Sequence, residues 1–146
     1  MKVPIAYIDI RFSIHATEDP ERVMTAIHNI LPGESFEDVD FKRSNIKGHY
    51  NNPITLLKTR IKEKKFLEAI FQRLANGLTS QDKILLDEEI DQRLDKRDLF
   101  IRLDKQSAYL DEIKLGSTDP IHLKIRFRAR GKEDLIEICR RFGMLP

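Results

Sequence analysis

Ile121-His122-Leu123-Lys124-Ile125-Arg126-Phe127-Arg128-Ala129-Arg130 carries the clearest structural pattern of this chain. Taken with period two, it sets Ile121, Leu123, Ile125, Phe127 and Ala129 on one face and His122, Lys124, Arg126, Arg128 and Arg130 on the other. Alternate side chains of a β-strand point to opposite faces, so the pattern predicts a half-buried strand whose open side is a ladder of cations. Like charges in such a ladder repel one another. Either carboxylates on neighbouring strands neutralise them, or a polyanion does.

On the downstream side, Lys132 to Phe142 predicts a terminal amphipathic helix with Leu135, Ile136, Ile138 and Cys139 inward, ended by Gly143. On the upstream side, Gly116 to Pro120 predicts a turn. Before it, Leu99, Ile101 and Leu103 oppose Phe100, Arg102 and Asp104 in another period-two run. A turn at Asp104-Lys105-Gln106-Ser107 is then expected, with Tyr109 to Leu115 returning as a strand.

Near the start, Ile8, Ile10, Phe12 and Ile14 alternate with Asp9, Arg11 and Ser13, again a strand with one buried face. Thr17-Glu18-Asp19-Pro20-Glu21 is a helix opening: a capping oxygen, an early proline, and acids that complement the free amides of the first turn. Val23, Ala26, Ile27, Ile30 and Leu31 follow at helical spacing, and Pro32-Gly33 stops them. Phe36 to Ile46 predicts a second strand bonded to the first. Gly48 to Pro53 predicts a turn that opens a helix carrying Ile54, Leu57 and Ile61. After the charge run Lys62 to Lys65, Leu67, Ile70, Phe71 and Leu74 mark a second helix, closed by Asn76-Gly77. A third, capped at Thr79 to Asp82, runs to about Leu94. Strands, then helices, then strands with a late helix predict an α+β fold. It is a two-layer sandwich, a largely antiparallel sheet with helices packed on one face, in a single domain over residues 1–146.

Composition agrees with a globular chain: 40% hydrophobic, 34% charged, net charge +2. That small net charge gives no global polyelectrolyte signal, so distribution carries the information. Between Ile121 and Lys132 there are five lysines and arginines and no acid. The single cysteine, Cys139, excludes an intramolecular disulfide and falls at an apolar helical position, as a buried hydrophobe would. No apolar run approaches the roughly 20 residues that span a bilayer. Asp9 and Arg11 interrupt any signal-peptide core. The expectation is a cytoplasmic protein with no membrane partner.

In a two-layer sandwich the second sheet face stays open. Its candidates are Arg11, Ser13 and His15 from the first strand, Phe100 and Arg102 from the middle one, and Lys124, Arg126 and Arg128 from the last. Cations that hold phosphates beside an aromatic that stacks a base are one way of binding RNA. Alternatively, Phe100 lies under the terminal helix. Lys105 and Gln106, at the expected turn, join the candidates, because an exposed lysine beside an amide suits a phosphate and a base edge. No Gly-rich phosphate loop, no metal-spaced His or Cys pair and no nucleophile elbow occurs, so neither cofactor nor metal is expected. Two rival readings remain. One is a homodimer or protein-binding face in which Asp9 or Asp111 meets the arginines across a two-fold axis. The other is a Mg²⁺-dependent nuclease built on Asp104, Glu112 and Lys114. His15 with Glu18 and Asp19 has the composition of a divalent site, though a helix cap already explains the acids.

Three segments together carry a resemblance. They are His15-Ala16-Thr17-Glu18-Asp19, Gly48-His49-Tyr50-Asn51-Asn52-Pro53-Ile54, and Arg102-Leu103-Asp104-Lys105-Gln106 leading into Asp119-Pro120-Ile121. In order and spacing the chain resembles, over roughly residues 5–128, an archaeal family described as predicted RNA-binding proteins or exosome subunits. The resemblance implies an archaeal cytoplasmic protein, a fold like that of ribosomal protein L5, and non-catalytic RNA binding, with exosome subunits among its partners. Asn51 departs from the family pattern, which has Gly before Asn-Pro; asparagine tolerates left-handed backbone, so the turn is expected to survive.

Overall fold

The computed structural model describes residues 2–33, 39–48 and 52–146. The early alternation is realised as β1 (Ile5–His15), followed by α1 (Pro20–Ile30), β2 (Lys42–Lys47) and β3 (Pro53–Ile61). Three helices come next: α2 (Lys64–Gly77), α3 (Ser80–Glu88) and α4 (Ile90–Arg93). The remainder is β4 (Leu94–Asp95), β5 (Asp98–Leu103), α5 (Lys105–Tyr109), β6 (Ile121–Phe127) and α6 (Lys132–Arg141). The strands form one six-stranded sheet in the order β2-β3-β1-β6-β5-β4, every pairing antiparallel. The helices cover one face, so the expected α+β sandwich is the fold observed.

β1 lies inside the sheet, between β3 and β6, because its apolar face is continuous with both. Ile8 stands opposite Ile61 and Ile125, and Ile10 opposite Leu123. Leu123 in turn faces Ile101 on β5. These residues, with Phe12, Leu57, Leu99 and Phe127, are almost fully buried and form one cluster with the inward stripes of the helices. Phe127 meets Phe71 of α2 edge to face, centroids 6.2 Å apart. Burying each such side chain contributes about 1.5–3 kcal/mol relative to exposure.

The helix boundaries follow local chemistry. Asp19 caps α1 by accepting from the Glu21 amide, with Pro20 at the first helical position. Thr79 caps α3 by accepting from the Asp82 amide. α6 ends where Gly143 takes φ +85°, which lets the Met144 amide donate back to the Cys139 carbonyl at 2.8 Å. Arg140 binds Asp87 of α3, and Lys132 binds Asp91 of α4, so α6 docks beside those helices and away from the open sheet face.

Four local expectations change. Residues 54–61 are strand β3, not helix; Ile54, Thr55, Thr59 and Ile61 are β-branched, which favours the pleated surface. Of the strand expected over 36–46, residues 36–38 lie outside the described residues, as do residues 49–51 of the expected Gly48 to Pro53 turn. What forms is β2 from Lys42, and it pairs with β3, not with β1. The helix expected to run to Leu94 breaks at Glu89 into α3 and α4. Finally, Lys105 and Gln106 open helix α5 and not a hairpin turn: the Asp104 carboxylate accepts from the Ser107 amide at 2.9 Å and its hydroxyl at 2.6 Å, a helix cap. Tyr109 to Leu115 therefore does not return as a strand; only Leu115 bridges to Leu103.

Candidate nucleic-acid interface

The open face carries the odd residues of β1 and the even residues of β2, β3, β5 and β6, and their register arranges them in rows across the strands. Lys42 lies opposite Lys58, Lys58 opposite Arg11, Arg11 opposite His122, and His122 opposite Arg102. Five strands thus contribute one basic side chain each to a single line about 19 Å long, at roughly 4.8 Å per strand spacing. The adjacent row reads Arg60, Asp9, Lys124, Phe100, and the next pairs Tyr7 with Arg126 and Arg126 with Asp98.

Neutralisation differs sharply between these rows. Asp9 accepts from Arg60 through both carboxylate oxygens, at 2.7 and 3.0 Å, and lies 3.6 Å from the Lys124 ammonium. The Arg60 pKa is raised above its ordinary value, chiefly through the hydrogen bond to Asp9. Arg126 meets Asp98, which is buried, at 3.2 Å. Arg130, beyond the strand, reaches Asp134. The ladder along β6 therefore has carboxylates of its own. Among the described residues, no carboxylate bonds Lys42, Lys58, Arg11 or Arg102. His122, set between Arg11 and Arg102, has its pKa lowered, first by burial and then by those two cations, with Asp119 opposing them. Like charges directly opposite on paired strands destabilise by a few tenths to about 1 kcal/mol each. Among the described residues, the uncompensated line of charge therefore runs across the sheet, perpendicular to the ladder expected from β6.

This line forms the floor of a groove of about 1080 Å³. Asp40 and Phe41 stand at its β2 end, and Gln92 and Arg93 of α4 at its β5 end. Phe100 lies in the floor, 41% exposed, clear of the terminal helix. Tyr7, also on this face, has the Arg60 guanidinium 3.9 Å from its ring centre and the Lys124 ammonium at 5.7 Å.

Of the residues expected to contact RNA, Arg11, Arg102 and Lys124 line the groove together. Arg126 shares the face but sits a row away, tied to Asp98. Arg128 is exposed beyond the end of β6, its amide donating to the Pro4 carbonyl. Gln106 is exposed in the first turn of α5 and is not part of the groove wall. Lys105 is not the exposed lysine expected at a turn. Its side chain is only 12% exposed, and its ammonium donates to the Ser13 carbonyl, to both oxygens of Glu18 and to Asp119. Its donors are engaged in bracing the fold, which leaves none for a ligand. Sequence reading missed Lys42 and Lys58, the second because a helix was expected there. The alternation of Lys58 and Arg60 with Leu57, Thr59 and Ile61 was the available signal.

The alternative chemistries look different in place. His15, Glu18 and Asp119 converge within 4.8 Å, so the third member of that cluster is Asp119, while Asp19 caps α1. The Lys105 ammonium pairs with both of its carboxylates as the counter-cation, and His15 Nε2 lies 3.1 Å from Asp119. Asp104 is a helix cap, and Glu112 pairs with Lys114 at 3.1 Å. Asp9 and Asp111, the acids proposed for a dimer contact, bind Arg60 and Arg73 of the same chain. Cys139 is buried, and burial pushes its thiol pKa up to about 12, which leaves it a packing group. Among the described residues no helix is long and apolar enough to cross a membrane.

Fold and face together define a class: an α+β protein whose antiparallel sheet is backed by helices on one side and shows a row of cations on the other. The chain belongs to the family described as RNA binding, whose model matches residues 7–127. It is 36% identical over 138 residues to the RNA-binding protein PAB1135 of Pyrococcus abyssi, covering 91% of this chain and 90% of that one. It is 30% identical over 132 residues to the uncharacterized protein MJ0213 of Methanocaldococcus jannaschii, covering 85% and 87%. Among solved structures it is similar to Mth689, a DUF54 protein from Methanothermobacter thermautotrophicus. That match has a TM-score of 0.79 and 29% identity, and covers 96% of this chain and 98% of that one.

Proposed function

We propose that this chain, as one domain spanning residues 1–146, binds RNA on the open face of its sheet without catalysing a reaction on it. One observation carries the reading: Lys42, Lys58, Arg11 and Arg102 stand in line across the strands with no carboxylate bonded to any of them among the described residues. Such a row is unfavourable alone and favourable against a string of phosphates, whose counterions it releases. Family membership and the similarity to the RNA-binding protein of Pyrococcus abyssi support RNA as the polyanion. Service as an accessory factor of archaeal RNA processing, with exosome subunits as partners and the cytoplasm as its setting, extends the same reading from the family resemblance.

Filter binding over a salt series tests it. The observed constant should fall linearly with salt on logarithmic axes, and Arg11→Ala with Lys58→Ala and Arg102→Ala should lower that slope by about 2. Arg126→Ala should matter less, because Asp98 already neutralises Arg126. Tight binding that ignores the triple change would remove the face from consideration, and a stable dimer with no RNA affinity would replace the reading with self-association.

A further inference from the structure

We propose that the RNA is single-stranded and crosses the sheet perpendicular to the strands, with one unstacked base seated on Phe100 and its edge read by Gln92. This rests on the reading of the open face just given and names the form of ligand that face accepts.

The floor of the groove has two parts. The cation row offers one positive group per strand, a track for a chain of phosphates. Beside the far end of that track lies Phe100, opposite Lys124 and one row from His122 and Arg102. Among the described residues it is the large apolar side chain exposed in this groove, 41% accessible where neighbouring positions are charged or polar. Among the described residues neither a ring nor a cation covers it. Tyr7, by contrast, already holds a guanidinium against its ring. A bare ring next to phosphate-binding groups is the arrangement on which a base stacks.

The wall behind the ring supplies hydrogen-bonding groups. Gln92 is exposed on α4, and its amide, which both donates and accepts, bonds to none of the described residues. Arg93 beside it is 11% exposed and bonds Glu89 through one terminal nitrogen, while its Nε has no acceptor among the described residues. A base lying on the Phe100 ring would turn its edge toward these groups. Bases inside a duplex are stacked on one another and offer no face to an isolated ring, so this subsite selects unpaired RNA.

Fluorescence anisotropy with labelled oligouridylate and oligoadenylate of about 12 nucleotides, a length within the range single-strand sites occupy, and with a hairpin duplex, provides the test. Phe100→Leu keeps an apolar side chain on an exposed site and removes the ring. It should weaken single-strand binding roughly 5- to 150-fold, the range for one stacked base. The salt slope should not change, because the ring touches no phosphate. Phe100→Trp should restore binding, and duplex binding should be the same in all three proteins. Gln92→Ala should alter the preference between the two oligomers. If Phe100→Leu binds single strands as the parent does while the triple cation variant fails, the base subsite is wrong and the cationic face stands. If neither variant changes binding, both readings fail.

Discussion

His122 is a neutral-leaning group placed in a positive row, and that placement makes it a reporter. Its neighbours are Arg11 on β1, Arg102 on β5 and Asp119 ahead of β6, and its pKa lies below the ordinary 6.5 through burial and the two cations. The unfolded chain therefore binds the proton more readily. His122 contributes stability that is intact above about pH 6.5 and lost as pH falls through that value toward the lower folded one. Phosphate in the groove opposes both cations and raises the pKa again, so RNA binding should take up a proton. Affinity measured from about pH 7.5 to 5.5 should rise as pH falls, by at most about tenfold per unit. His122→Asn should flatten that rise, and a flat profile in the parent protein would place the phosphates elsewhere.

Among the elements, α5 shows how a conspicuous motif is absorbed by folding. Lys105 ties its first turn to the end of β1, to Glu18 ahead of α1 and to Asp119 ahead of β6. Asp119 holds φ +44° immediately before Pro120, a conformation that the lysine and His15 help to pin. Lys105→Met should cost about 1–3 kcal/mol in a urea melt, less than a fully buried pair because Asp119 is 38% exposed and screened by solvent. RNA affinity should be unchanged, and an affinity loss at full stability would return Lys105 to the binding surface. Period two revealed β1, β5 and β6, together with Arg11, Arg102 and Lys124, since those strands alternate cleanly. It hid β3, because Ile54, Leu57 and Ile61 satisfy a helical spacing as well as a pleated one, and Lys58 was hidden with it. The row itself was not legible in one dimension. It depends on which strands become neighbours, and β1 pairs with β6 across more than a hundred residues.

For the whole molecule, long-range pairing also governs folding. Two of the pairings closest to the core join β1 to β3 and β1 to β6, so native contacts are distant in sequence. Refolding from urea, followed by stopped flow, should take milliseconds to seconds, whereas a microsecond phase carrying the full amplitude would contradict this topology. The charge pattern acts at the same scale: a net charge of only +2 conceals a polarised surface, with the helical face mixed in sign and the groove positive.

The position of β1 also has a consequence for biosynthesis. One flank of this ribbon finds its mate soon after β3 emerges, but the other waits for residues 121–127. At roughly 5–20 residues per second, the ribosome needs about 5–20 s to supply that segment. Throughout that interval a row of isoleucines is open to any neighbouring nascent polypeptide. Asp9 and Arg11, interleaved among them, put charge on that unfinished edge, and charged residues at an open edge discourage such pairing. Arg11 would then have two successive duties: guarding the unfinished edge, and afterwards gripping a nucleic acid.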